Sequence, residues 1–293
     1  MTDYQFAYLT STNSPGFLSA PTLADRPDAD TVVAGIAWDG ATTNRPGSRF
    51  GPFAIRRASH MLCDGEHPWF NVTAGGSIAD IGDLALPNTS LSAMRAVLQP
   101  KASELISRHH MIWLGGDHSI TLPLLRAYRV HHGRALGLIH FDAHCDTWPD
   151  HAGEPSGHGT WLREAITEGL VDPTLTVQFG IRSPAQLKIR EYVSERGGLI
   201  FTGRDLRGLE SPAQLKDICT AVRERLTSIA GVPEPGGLST AQVMTLLEEM
   251  HGLNWAGMDL CEVAPAYDQA ELTSNAAATL VWTYLCGRLA QPA

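Results

Sequence analysis

The chain has 293 residues, 43% of them apolar, which is enough for one large α/β domain or two small ones around a sizeable core. A formal charge of −9 works against binding to nucleic-acid phosphates and favours a small cationic substrate. Five scattered cysteines without a Cys-x-x-Cys pair argue for a reducing cytosol and against a disulfide framework. No apolar run is long enough to span a bilayer, and no basic start precedes an apolar stretch, so a cytoplasmic chain without a membrane anchor is expected.

In chain order, residues 1–30 are polar and rich in Pro, Ser and Asp, and read as an arm that packs on a neighbouring subunit. Residues 31–293 read as a single domain in which strand-like runs alternate with helical periodicity. "TVVAGIAWDG" leads into the helical "GPFAIRRASHML", and "HMIWLGG" leads into "DHSITLPLLRAYRVHH". "ALGLIHF" leads through a loop into "GTWLREAITEGL", and "TVQFGI" leads into a helix over 183–197. "GLIFT" is followed by a further helix, and "LNWAGMDL" by "ATLVWTYLCGRL". Such alternation implies a three-layer αβα fold with a mainly parallel central sheet, whose ligands bind beyond the carboxyl ends of the strands. "GGDHS", "DAHCD" and "MDLCEVAPAYD" all fall at such ends.

In "HFDAHCDTW", Asp142, His144 and Asp146 occupy alternate positions, so an extended chain turns them to one side and Cys145 to the other. Carboxylates mixed with imidazole suit a borderline divalent ion such as manganese, nickel, zinc or iron.

Taken together, "GGDHSITLPLLRAY", "HFDAHCDTW", "GHGTWLREA" and "GMDLCEVAPAYD" resemble the ureohydrolase family of arginase and agmatinase, with agmatinase the nearer branch. "ATTNRPGSRFGPFAIRRAS", "DIGDL" and "VQFGIRS" extend the resemblance over nearly the whole chain, and the fold it implies is arginase/deacetylase-like. The resemblance implies a pair of Mn2+ or Ni2+ ions holding a hydroxide that attacks a guanidinium carbon and releases urea and an amine. On these positions His118 and Asp146 would hold the first ion, His144 the second, and Asp142 both. His158 resembles the proton shuttle to the leaving amine, and Glu262 the carboxylate that grips the guanidinium.

The family's remaining two ligands come from an Asp-x-Asp segment that is missing here. One alignment of "AVRERLTSIAGV" removes a strand and its loop; another keeps a short strand and places Ile229, Ala230 or Gly231 where the carboxylates belong. A strand lost from mid-sheet would destabilise a monomer and call for a partner surface. The resulting expectation is a metal-deficient, non-catalytic or weakly active subunit that joins a complete catalytic paralogue in a trimer or hexamer acting on a small cationic guanidino substrate. The alternatives are an active amidinohydrolase with an altered metal site and a guanidino-binding protein.

Overall fold

The computed structural model describes residues 16–62, 65–226, 238–290 and the backbone of 229–233. Eight strands form one sheet: β1 (Thr31–Gly35), β2 (Ile78–Asp83), β3 (His110–Leu114), β4 (Leu136–Phe141), β5 (Val171–Ile181), β6 (Leu199–Thr202), β7 (Ile229–Pro233) and β8 (Trp255–Leu260). Their order is β2-β1-β3-β8-β7-β4-β5-β6, and every pairing is parallel. The principal helices are α1 (Gly51–Ser59), α2 (Leu91–Ile106), α3 (Thr121–His132), α4 (Trp161–Thr167), the single turn α5 (Leu187–Arg190), α6 (Pro212–Arg225), α7 (Thr240–Glu249) and α8 (Leu272–Leu289).

Both faces of the sheet are covered, which is why its strands read as continuous apolar runs. Along β3, Met111 and Trp113 enter a core shared with Met94, Leu98, Leu125 and Trp161 of α2, α3 and α4. Ile112 and Leu114 point the other way, into a core shared with Ile55, Leu246, Val281 and Leu285 of α1, α7 and α8. The three-layer α/β architecture expected from the sequence is the one observed.

Two expectations need correction. Residues 183–197 form only the turn α5 and a short 3-10 turn over Ser194–Arg196, because Leu187 points to solvent and the apolar side chains do not line one face. No strand is missing from the sheet: β7 fills the place between β4 and β8, as in the alignment that keeps a short strand. The instability argument for a partner therefore loses its basis. Of the segment 1–30, residues 1–15 lie outside the described residues; Phe17 and Leu18 are buried in the chain's own core, and the Phe17 N–H donates to Asp80 at 2.7 Å.

Among the described residues no helix is long and apolar enough to cross a membrane. Cys145, Cys219, Cys261 and Cys286 are buried and form no disulfide; Cys63 lies outside the described residues.

Candidate metal centre

The strand order brings the ends of β3, β8, β7 and β4 side by side, so the three motifs meet at one edge. After β3 the chain turns sharply at Gly115 and Gly116, where a Cβ on Gly116 would overlap the Trp38 backbone. Asp117 then ties the turn down, accepting from the Ala41 N–H at 2.8 Å, the Ser119 N–H at 2.9 Å and the Ser119 hydroxyl at 2.5 Å. The 3-10 turn His118–Ile120 starts there and delivers His118 to the edge.

At the end of β4, Asp142 Oδ2 lies 3.2 Å from His118 Nδ1, and Asp146 Oδ2 lies 2.9 Å from the same nitrogen. Asp146 has a left-handed backbone (φ 51°) and accepts from the Trp161 indole N–H at 2.7 Å. Cys145 points away, into a small cluster with Ile181 and Ile189. His118, Asp142 and Asp146 are 2%, 2% and 4% exposed. His144 differs: its Nδ1 is 3.3 Å from Asp142 Oδ1, but the side chain is 55% exposed.

Sequence reasoning passed over His140, although it lies two residues before Asp142 and strand alternation puts both on one face. Its Nε2 is 3.0 Å from Asp142 Oδ2, and with His118, Asp142 and Asp146 it offers ligand atoms within 4.8 Å of one another. The Gln178 amide N–H group donates to the Cys145 carbonyl and also to His140 Nδ1, each at 3.0 Å. That fixes Nδ1 as the acceptor and leaves the proton on Nε2, facing Asp142. His140 is thus a support that orients the Asp142 carboxylate, in the manner of the groups that surround metal ligands.

Burial alone would raise the Asp142 carboxyl, but hydrogen bonds from His118, His140 and His144 outweigh it and hold the group well below its ordinary value. Burial likewise opposes charge on His118, and the Asp142 and Asp146 carboxylates reverse this, raising the imidazole well above its ordinary range. Asp117 is pushed by burial and by nearby Glu262 up to about 6, against the hydrogen bonds that it accepts from Ser119 and Ala41.

Across a cavity of about 340 Å³ lie His158 and Glu262. Glu262 sits on a left-handed residue (φ 65°) just after β8, and its N–H donates to the Gly116 carbonyl. Its Oε1 accepts from the His118 backbone N–H at 2.9 Å and lies 3.2 Å from His158 Nδ1. The opposite ring nitrogen, His158 Nε2, is 3.0 Å from the Thr43 hydroxyl, a contact that no sequence spacing announces. Burial disfavours charge on His158, but the Glu262 carboxylate prevails and raises its pKa. Trp148, Asp150 and His151 line the rest of the cavity.

The donor set fits one divalent ion. An imidazole nitrogen between two buried carboxylates is a hard-to-borderline, net-negative pocket of the right kind. Among the described residues it does not extend to a second. The β7 backbone pairs Val232 with His140 and Pro233 with Phe141, so the strand ends one residue short of Asp142; no residue from Ile218 to Met258 is an aspartate, and Glu234, which follows the strand, lies outside the described residues. His144 and the shared Asp142 are then the only candidate ligands left for a second ion among the described residues.

A fully parallel, doubly covered sheet with a buried carboxylate–imidazole cluster at its carboxyl edge defines an α/β protein with a candidate metal site. The family pattern "Arginase: Arginase family" matches residues 29–287, and the chain belongs to the arginase family. It is 37% identical over 297 residues to an agmatinase of Cronobacter sakazakii, covering 94% of each chain. Among solved structures it is similar to a hypothetical agmatinase from Burkholderia thailandensis (TM-score 0.83, 31% identity, 95% of this chain and 91% of that one). It is also similar to the proclavaminate amidino hydrolase from Streptomyces clavuligerus (TM-score 0.81, 30% identity, 94% and 99%).

Proposed function

We propose that this chain is a cytosolic ureohydrolase-type subunit, built to hydrolyse a small cationic guanidino compound to urea and an amine, with a site for one divalent ion instead of two. The observation that carries this reading is the end of β7 at Pro233, which leaves His118, Asp142 and Asp146 as the only buried cluster of metal donors among the described residues besides the supporting His140. Manganese or nickel suits the set, and when bound it would supply an activated water.

The chain's own residues do the rest. With Oε1 of Glu262 occupied by the His118 N–H and His158, Oε2 is the oxygen left to grip a guanidinium. The oxygen of water adds to the guanidinium carbon as one of its protons passes to the departing nitrogen. The C–N bond to the amine breaks as His158 gives that nitrogen a second proton, and the last proton of the water returns to His158 as the carbonyl of urea forms. The raised pKa of His158 keeps the proton it gives available near neutrality. Asp150 and Trp148 at the cavity wall suit a cationic or apolar tail.

Assembly with a complete paralogue, in a trimer or a pair of trimers, would supply the turnover that an incomplete donor set withholds. Elemental analysis of the chain purified alone tests the metal count: fewer than two equivalents are expected, with little urea released from agmatine. Two tightly held ions would overturn the reading. Full activity in the chain alone that disappears in Asp142→Ala would instead favour a self-sufficient one-metal hydrolase. The intact Thr43–His158–Glu262 chain of contacts is the feature that supports this second reading.

A further inference from the structure

Beside the metal centre, at the carboxyl ends of β5 and β6, a second cleft of about 760 Å³ opens between Ile181 and Thr202. Four arginines line it, Arg182, Arg190, Arg204 and Arg207, against two carboxylates, Glu191 and Glu210. The imbalance is unusual in a chain with 22 basic and 31 acidic residues. Glu191 is already engaged by Arg190 at 2.9 Å and by the Ser194 hydroxyl at 2.7 Å, and Glu210 accepts from the Ser239 hydroxyl at 3.2 Å. Arg204 and Arg207 are within ion-pair distance of no described carboxylate, although the Arg204 charge helps to hold the Asp205 carboxyl below its ordinary value, and the Arg182 guanidinium donates to the Gly180 carbonyl at 3.3 Å. Ser239, which caps the ten-residue helix α7, also lines the wall, so the positive end of that helix adds to the field of the arginines.

We propose that this cleft is a binding site for a small, multiply charged oxyanion carrying phosphate or carboxylate groups. With two positive charges in excess, neutrality calls for an occupant bearing at least two negative charges. Arginine is suited to it because a planar guanidinium donates two parallel hydrogen bonds to either group. The cavity is several times the size of one phosphate, which leaves room for the body of a metabolite. The cleft is also tied to the metal centre: the N–H groups of Arg182 and Ser183 both donate to the Ala143 carbonyl at 2.9 Å, between Asp142 and His144. An occupant that draws in Arg182 pulls on the turn that carries two of the candidate ligands, which makes it an effector of the neighbouring site.

The test is calorimetric titration of inorganic pyrophosphate and, separately, citrate into the full chain treated with a chelator. One saturable site is expected, tighter for whichever of the two groups the cleft prefers. Binding should weaken at least about tenfold in R204Q/R207Q, since each lost charge-assisted contact is worth more than a kcal/mol. Both side chains are exposed, and an unchanged melting temperature shows that the variant is folded. Because the titration is made on the metal-free chain, its outcome is separate from the fate of the metal reading. Absence of saturable binding at millimolar anion, or binding indifferent to R204Q/R207Q, overturns it. So does a variant that changes the mass seen by light scattering while neither anion binds, because the cleft would then be a contact between copies.

Discussion

The two halves of the candidate metal centre share one carboxylate and little else. On one side, His118 and Asp146 are buried and held by neighbours on α4 and β3, with His140 and Gln178 locking the Asp142 carboxylate from behind. On the other, His144 is more than half exposed, and the residues of β7, Ile229–Pro233, include no carboxylate. A cation site is thus more than a set of ligands at the right spacing: it is a buried cluster whose charges support one another. Only one of the two halves meets that description.

The largest effect is expected from Asp142→Asn. Removing the shared charge from a fully buried cluster leaves His118 with only one of its two counter-charges, and breaking such a pair costs about 3–5 kcal/mol. Manganese affinity, read by calorimetry, should therefore fall by at least about a hundredfold.

Next comes an acid-stability experiment that turns on a contrast between the two ends of β3. His118 is buried among carboxylates and favours charge, whereas His110, at the other end, is buried against the Tyr284 hydroxyl at 2.8 Å. Burial lowers its pKa to about 3. The unfolded chain binds this proton near pH 6.5 and the folded chain does not, so the contribution of His110 to stability is complete above pH 6.5 and is lost as pH falls from there towards 3. The loss amounts to about 5 kcal/mol. In His110→Gln the denaturation free energy should fall by about one proton's worth less over that window. An unchanged slope would mean that burial is not what holds the imidazole neutral.

A smaller effect belongs to His140→Phe, which keeps a ring in the core but removes the bond to Asp142. Losses of groups that orient a metal ligand typically cost about 10–100-fold in affinity. The smallest is expected for His144→Ala, less than about tenfold, since an exposed imidazole contributes little to a site it only borders. Should His144→Ala match Asp142→Asn, the division between the two halves would collapse and a second ion would have to be reconsidered.

Much of this was legible in the sequence because period-2 and period-3.6 patterns survive wherever an element is buried on a defined face. The runs at β1, β3, β4 and β8 and the helices α1 and α3 were placed within a few residues, while α8 begins six residues before the run that announced it. The pattern failed where burial and chemistry diverge. Helix α2 carries Pro100 and a poorly segregated apolar face, and β5 begins at Val171 in "VDPT", which has the composition of a turn. The stretch 183–197 looked helical on propensity but has no core to bury it against. At the site, the alternation in "DAHCD" announced which side chains would face together, but not how deeply each would sit. The separation of His144 from His118 and Asp146, and the contacts of Thr43 and Gln178, depend on residues far away in the chain, so no local pattern encodes them.

The order of the strands also sets when the site comes into being. β3 and β4 lie in the first half of the chain, yet the strands that must slide between them, β7 and β8, begin at Ile229 and Trp255. During synthesis the nascent chain therefore carries its GGDH and DAHCD turns long before they can be brought to their final distance. Parallel pairings of such long sequence separation are slow to close, because the entropy of the intervening loop must be overcome first. Assembly of the cluster is consequently among the last events of folding, and divalent-ion binding should report completion of the whole sheet rather than the formation of any one half.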